Sequence, residues 1–169
     1  MITLQQNKKI LILFGLLTSI LFTIVMFVVN PLIDGKTGLE VIKLQIAFQT
    51  ETGRIIINNW QEIGKENFLK YIFTDYLYAI SYSIFLASIY MNKLLKKNIQ
   101  LSKKHLFIFI LPFIAGIFDM IENTIEILFI KNPVNFSEII FGLHSVFATL
   151  KWIALPIIAY YLIKPIKEK

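Results

Sequence analysis

The sequence predicts an all-α membrane protein, specifically a four-helix transmembrane bundle, and two observations support this prediction. Of its 169 residues, 56% are hydrophobic and only 17% are charged, which lies outside the usual balance of a soluble domain. The apolar residues also fall into four long runs, and a spanning helix needs about 20 mostly apolar residues. We therefore expect a single integral membrane domain over residues 1–169.

The four apolar runs define the predicted spans. The first follows Lys8 and Lys9. It is longer than the apolar core of about 7 to 15 residues in a signal peptide, and no small-x-small cleavage site follows it, so we expect a retained span. The predicted spans cover residues of about 10–29, 68–91, 106–130 and 136–163.

The segment 30–67 interrupts the apolar pattern and predicts a short helical region outside the membrane. Its first part, "NPLIDGKTG", is turn-like, whereas Ile56, Trp60 and Ile63 recur at helical spacing. One interpretation is a helix lying on the bilayer surface with Trp60 at headgroup depth. The alternative is a loop helix packed against the bundle.

The lysines predict the orientation of the chain. The loop between the second and third spans contains five lysines and no acid, which is typical of a cytoplasmic loop. Alternation then places both termini in the cytoplasm, and the segment 30–67 and the short turn "KNPVN" outside. The net charge of +6 could suit nucleic acid, but the lysines flank apolar runs, so we expect no nucleic-acid partner.

Several classes of chemistry lack sequence support. Cysteine is absent, which excludes disulfides, thiol catalysis and thiolate metal sites. No HExxH, GxSxG or GxxxxGK motif occurs. We considered a metal site built from His144 and nearby carboxylates, but a lone histidine on a polar face is more often a hydrogen-bonding partner. We therefore predict no metal and no cofactor, and catalytic residues are unknown.

Polar residues inside the predicted spans indicate where a site would lie. Each residue of an α-helix advances by about 100°, so four polar residues of the third span share one face. Ala115 lies on that face and Gly116 at its edge, and small residues let a neighbouring helix approach closely. The four residues are Asp119, Glu122, Asn123 and Glu126.

Two other spans carry matching polar faces. On the second span, Asp75, Tyr78 and Tyr82 lie together, and on the fourth His144 and Lys151 lie about 20° apart. A rise of about 1.5 Å per residue places Glu122 and His144 at the same depth. A charge at the bilayer centre costs about 2.5 to 3.5 kcal/mol, so we expect these faces to meet and pair.

The predicted column contains more acid than base, which leads to two hypotheses. Unless water or a cation supplies the balance, at least one carboxyl group should carry a proton. The first hypothesis is an intramembrane protein that binds a small polar or amphiphilic ligand, a lipid headgroup or a proton, with Lys151 as counter-ion and Glu122 with His144 as a proton-exchanging pair. The predicted ligand-binding residues are Asp75, Tyr78, Tyr82, Asp119, Glu122, Asn123, Glu126, His144 and Lys151.

The second hypothesis is a structural or accessory membrane subunit. In that interpretation Lys151 pairs with Asp119 or Glu122 to hold the bundle in register, and Asp75 and Glu126 are solvated helix ends. An enzyme acting on a lipid is a third class, but no residue pattern selects a reaction. Expected partners are membrane lipids, and a four-span carrier is expected to form a homo-oligomer.

Several short pieces also resemble a family of small, functionally uncharacterised bacterial membrane proteins with four spans. The pieces are "LQIAF" at 44–48, tryptophan at 60 with glycine at 64, aspartate at 75 with tyrosine at 82, "AGIFDMIEN" at 115–123 and "LKW" at 150–152. The resemblance implies the four-helix fold and a bacterial inner-membrane location. It implies no activity.

Overall fold

The computed structural model describes residues 2–29, 39–63, 65–133 and 136–166. Of these, 88% are helical, in six helices and without strands, so the all-α prediction is confirmed. The turn-like residues 30–38 and part of the turn "KNPVN" lie outside the described residues. The helices are α1 (Leu4–Ile24, continued by a π-helical end, Val25–Val29), α2 (Leu39–Ile46), α3 (Thr50–Ile63), α4 (Lys65–Lys96), α5 (Lys103–Lys131) and α6 (Glu138–Ile163).

Four helices are long and apolar enough to cross a membrane, which defines a multi-pass membrane protein. They are Leu4–Val28, Glu66–Lys96, Lys103–Lys131 and Glu138–Ile163. Local signals fix where two of them begin. Thr3 and Gln6 form a reciprocal capping box before α1, and the Ser102 side chain accepts a hydrogen bond from the His105 amide at the start of α5.

The long helices pack in chain order, with α1 on α4, α4 on α5 and α5 on α6. A small residue allows a close approach of α4 and α5, as the sequence predicted. A Cβ added to Gly116 of α5 would overlap Ser83 Oγ of α4. Ser83 Oγ is itself held by hydrogen bonds to the carbonyls of Ala79 (2.7 Å) and Pro112 (3.0 Å). This contact brings the polar faces of α4 and α5 together.

Helices α2 and α3 cover one end of the bundle. Trp60 is only 2% exposed, and its ring lies 5.9 Å from that of Phe68. The interpretation of a surface helix with Trp60 at headgroup depth is therefore wrong, and the alternative of a helix packed on the bundle is correct. The reason is that the indole ring packs on Phe68, whose own ring lies 6.0 Å from that of Tyr71. The side chain of Ile63 lies outside the described residues.

Two polar contacts connect the segment that contains α2 and α3 to α6. Ser145 Oγ donates a hydrogen bond to the carbonyl of Ala47, and Trp152 Nε1 donates to Gln45 Oε1 at 3.1 Å. A Cβ on Gly53 of α3 would overlap the Phe141 ring. Helices α2 and α3 therefore lie directly over the part of α6 that carries His144.

Candidate functional site

The polar faces of α4, α5 and α6 meet inside the bundle. Eight of the nine predicted site residues are buried, and Glu122, Asn123, Glu126 and His144 have no exposed surface. Tyr78 is half-buried, and its ring lies 5.3 Å from that of Tyr82. We call these nine residues the intramembrane cluster.

The prediction that Asp75 and Glu126 are solvated helix ends is wrong. Asp75 is 7% exposed and Glu126 is fully buried. Asp75 Oδ2 accepts a hydrogen bond of 2.9 Å from Asn123 Nδ2, which connects α4 to α5. Glu126 lies five residues before the end of α5 and Asp75 ten residues after the start of α4, and α2 and α3 pack over this end of the bundle.

One half of the cluster is organised around a lysine. Lys151 Nζ donates to Asp119 Oδ1 at 2.9 Å, and Asp119 Oδ2 accepts a hydrogen bond of 3.1 Å from the Tyr82 hydroxyl. These three residues, from α6, α5 and α4, form the lysine-centred half. Lys151 Nζ also lies 2.8 Å from Glu122 Oε2. The predicted pairing of Lys151 with Asp119 or Glu122 is confirmed for both acids.

The other half contains two glutamates and a histidine, which we call the carboxylate–histidine half. Glu122 and Glu126 lie one turn apart on α5, and His144 projects from α6. His144 Nε2 lies 3.2 Å from Glu126 Oε1. One ligand atom from each of the three residues can be chosen so that all lie within 4.8 Å of one another.

The predicted proton-exchanging pair requires a correction, because the hydrogen-bond partner of His144 is Glu126 and not Glu122. The helix ends explain the difference. Helix α6 begins at Glu138 and α5 ends at Lys131. At about 1.5 Å per residue, His144 lies about 9 Å from its helix end, Glu126 about 7.5 Å and Glu122 about 13.5 Å. His144 therefore lies closer in depth to Glu126 than to Glu122.

Several buried polar atoms in and beside the carboxylate–histidine half have no hydrogen-bond partner among the described residues. The contact between Glu122 Oε2 and Lys151 is an ion pair whose angles are not those of a hydrogen bond. An unpaired buried polar group costs about 1 to 3 kcal/mol, and more if charged. The unpartnered atoms are Glu122 Oε1 and Oε2, Asn123 Oδ1, Glu126 Oε2 and His144 Nδ1.

Aromatic rings enclose the histidine. Phe129 lies 5.4 Å from the imidazole in an edge-on arrangement, and Phe141 lies 6.0 Å away and nearly parallel to it. Phe136 packs on Phe129 at 4.5 Å. Sequence reasoning missed these rings because phenylalanines inside a span are expected to contact lipid. The spacing of three residues between Phe141 and His144 was the available signal.

Comparison with known proteins adds no further assignment. No protein-family model, curated protein or solved structure matches this chain. The resemblance to small bacterial four-span proteins therefore stays a prediction. The site must be interpreted from its own chemistry.

Proposed function

We propose that the protein is an intramembrane binding protein whose cluster holds a small polar or cationic ligand between α4, α5 and α6. One observation carries this proposal: within the described part of the chain, Glu126 Oε2, His144 Nδ1 and both Glu122 oxygens are buried without hydrogen-bond partners. Groups of this kind are costly unless something binds them. A cation or a hydrogen-bond donor would satisfy the two glutamates.

The structural alternative accounts for only part of the cluster. A network that serves stability alone is expected to satisfy its members, because a half-satisfied polar network is worse than an apolar core. The lysine-centred half meets that expectation through Asp119, Tyr82 and Lys151. The carboxylate–histidine half does not, and this difference favours binding.

The enclosure limits the size of the ligand. Glu122, Glu126 and His144 have no exposed surface, so we expect the ligand to be an ion or a molecule of only a few atoms. A larger amphiphile would require α2 and α3 to move. The contacts that would have to open are those of Ser145 with Ala47 and of Trp152 with Gln45.

We also propose a bacterial inner-membrane location with both termini in the cytoplasm. The lysines between α4 and α5 support this orientation, and the resemblance to bacterial four-span proteins supports the membrane. The chain has no cysteine, so single introduced cysteines report on topology. In intact cells, an impermeant maleimide is expected to label Asn58→Cys and not Lys97→Cys; the reverse pattern would overturn the orientation.

The binding proposal is tested by the stability of the ligand-free protein. After extensive dialysis in detergent, Glu126→Gln is expected to unfold at the same or a higher temperature than the wild type. The reason is that it removes a buried charge whose second oxygen has no hydrogen-bond partner in the described ranges, and replacing poorly compensated buried charges is often neutral or stabilising by about 1 to 4 kcal/mol. The matched change Asp119→Asn should instead lower the unfolding temperature, because it weakens a made ion pair.

A second readout addresses the ligand itself. Native mass spectrometry of wild-type protein released gently from membranes is expected to reveal a bound adduct that Glu126→Gln lacks. Glu138→Gln, an exposed position on α6, should retain the adduct. If Glu126→Gln lowers the unfolding temperature as much as Asp119→Asn does, the glutamate is structural and the proposal fails.

A further inference from the structure

The carboxylate–histidine half has the composition and spacing of a metal-binding group. Glu122 and Glu126 are four residues apart on α5, a spacing that points two side chains in the same direction. His144 approaches from α6, and all three residues are fully buried. We propose that Glu122, Glu126 and His144 bind a divalent transition-metal ion. The inference rests on the proposed binding function and names the class of its ligand.

The distances suit a single ion. An ion such as Zn²⁺ lies about 2.0 to 2.2 Å from nitrogen and oxygen ligands, so neighbouring ligand atoms are about 3 to 3.5 Å apart. The separation of 3.2 Å between His144 Nε2 and Glu126 Oε1 falls within that range. One ligand atom from each of Glu122, Glu126 and His144 can be chosen so that the three atoms lie within 4.8 Å of one another. A small rotation of the Glu122 side chain would bring it to the ion.

The ligand types select among metals. Imidazole with carboxylates suits Mn²⁺, Fe²⁺, Co²⁺ and Zn²⁺, whereas Mg²⁺ and Ca²⁺ prefer sites made wholly of oxygen. The absence of cysteine from the chain removes thiolate ligands. Two glutamate oxygens and one histidine nitrogen leave further coordination positions of the ion open to small molecules. We therefore assign the site to a first-row transition metal.

Charge balance supports a divalent ion independently of the distances. The cluster holds four carboxyl groups, on Asp75, Asp119, Glu122 and Glu126, and a single ammonium group, on Lys151. With all of them ionised, three negative charges are uncompensated in a region where charge is costly. A bound divalent cation would remove two of the three. The ammonium group of Lys151 is already included in this count, so its ion pairs remove none of the three remaining charges.

The surroundings would hold the ligands in place. Lys151 lies 2.8 Å from Glu122 Oε2 and can orient this carboxylate while Oε1 faces the ion. The rings of Phe129 and Phe141 restrict the imidazole of His144. Such outer contacts orient metal ligands and typically change metal affinity by about 10- to 100-fold.

The test uses Co²⁺, whose visible absorption reports bound nitrogen and oxygen ligands. Full-length protein, with any histidine tag removed, is stripped with a chelator in detergent and titrated with Co²⁺. We expect one equivalent to bind, to produce a visible spectrum and to raise the unfolding temperature. Glu126→Gln and His144→Gln should each weaken binding by more than the roughly 10- to 100-fold that loss of an outer contact causes, since they remove direct ligands.

Glu138→Gln serves as the matched control and should bind Co²⁺ as the wild type does. Because the wild-type titration decides the question even if a variant folds poorly, the proposal stays testable. It is overturned if stripped wild type gives no spectrum and no thermal shift with Co²⁺, Mn²⁺ or Zn²⁺, or if both variants bind Co²⁺ with wild-type affinity. In either case the dialysed stability of Glu126→Gln still judges the broader binding proposal separately.

Discussion

The two halves of the intramembrane cluster are both buried but differ in how their polar atoms are satisfied. In the lysine-centred half, Lys151 and Tyr82 donate to opposite oxygens of Asp119. In the carboxylate–histidine half, His144 and Glu126 share one contact, and their remaining polar atoms have no hydrogen-bond partner among the described residues. The same helices, α5 and α6, supply residues to both halves. The difference therefore lies in which side-chain donors reach the carboxylates.

This difference predicts that the lysine-centred half stabilises the bundle and that the carboxylate–histidine half binds a ligand. Charges that are paired by side chains from three helices fix the packing of those helices. Groups that remain unpaired in the same interior represent free energy that a ligand can recover on binding. We therefore expect substitutions in the first half to affect folding and substitutions in the second half to affect binding.

The largest expected effect is that of Lys151→Met. This change leaves Asp119 and Glu122 buried without their common counter-charge, and breaking a buried pair in this way typically costs about 3 to 5 kcal/mol. Thermal unfolding in detergent should show a strong loss of stability. Lys131→Met, at the exposed end of α5, is the control and should change stability by less than about 0.5 kcal/mol. Equal effects of the two changes would contradict the importance of the lysine-centred half.

A smaller effect is expected for Tyr82→Phe, which removes one of the two hydrogen bonds to Asp119. A hydrogen bond to a charged group contributes about 1.5 to 3 kcal/mol, and the ion pair with Lys151 remains. Tyr76→Phe is the matched control, because the Tyr76 hydroxyl contacts Thr124, which keeps its own bond to the Met120 carbonyl. Chemical unfolding of the two variants side by side measures the difference. If Tyr82→Phe is as mild as Tyr76→Phe, the tyrosine is not part of the satisfied half.

The smallest change in stability is expected for Glu126→Gln, for which the dialysed protein should lose nothing. A graded series from Lys151→Met through Tyr82→Phe to Glu126→Gln would sharpen the comparison. A uniform loss across the three variants would instead indicate a single structural network.

Much of the site could be predicted from residue spacing. The shared face of Asp119, Glu122 and Glu126 follows from helical geometry, and the cost of burying charge predicts that it meets the faces of α4 and α6. The contacts between Lys151 and two of these acids confirm the reasoning. Depth along the helix was less accurate, because an error of two residues at the start of α6 shifts His144 by about 3 Å. Helix α5 also ends one residue later than predicted, at Lys131, and the two errors together make Glu126 rather than Glu122 the nearer partner in depth.

The sequence by itself determined the number of apolar helices and which of their faces are polar, because both depend on local hydropathy and on the fixed pitch of an α-helix. Only the tertiary structure decided that Trp60 is buried, that α2 and α3 seal the cluster and that His144 faces Glu126. These features depend on contacts between segments far apart in the chain. Such contacts depend on side chains that fit against glycine backbone, as Ser83 does at Gly116 and Phe141 at Gly53, and the periodicity of the sequence does not specify these pairs.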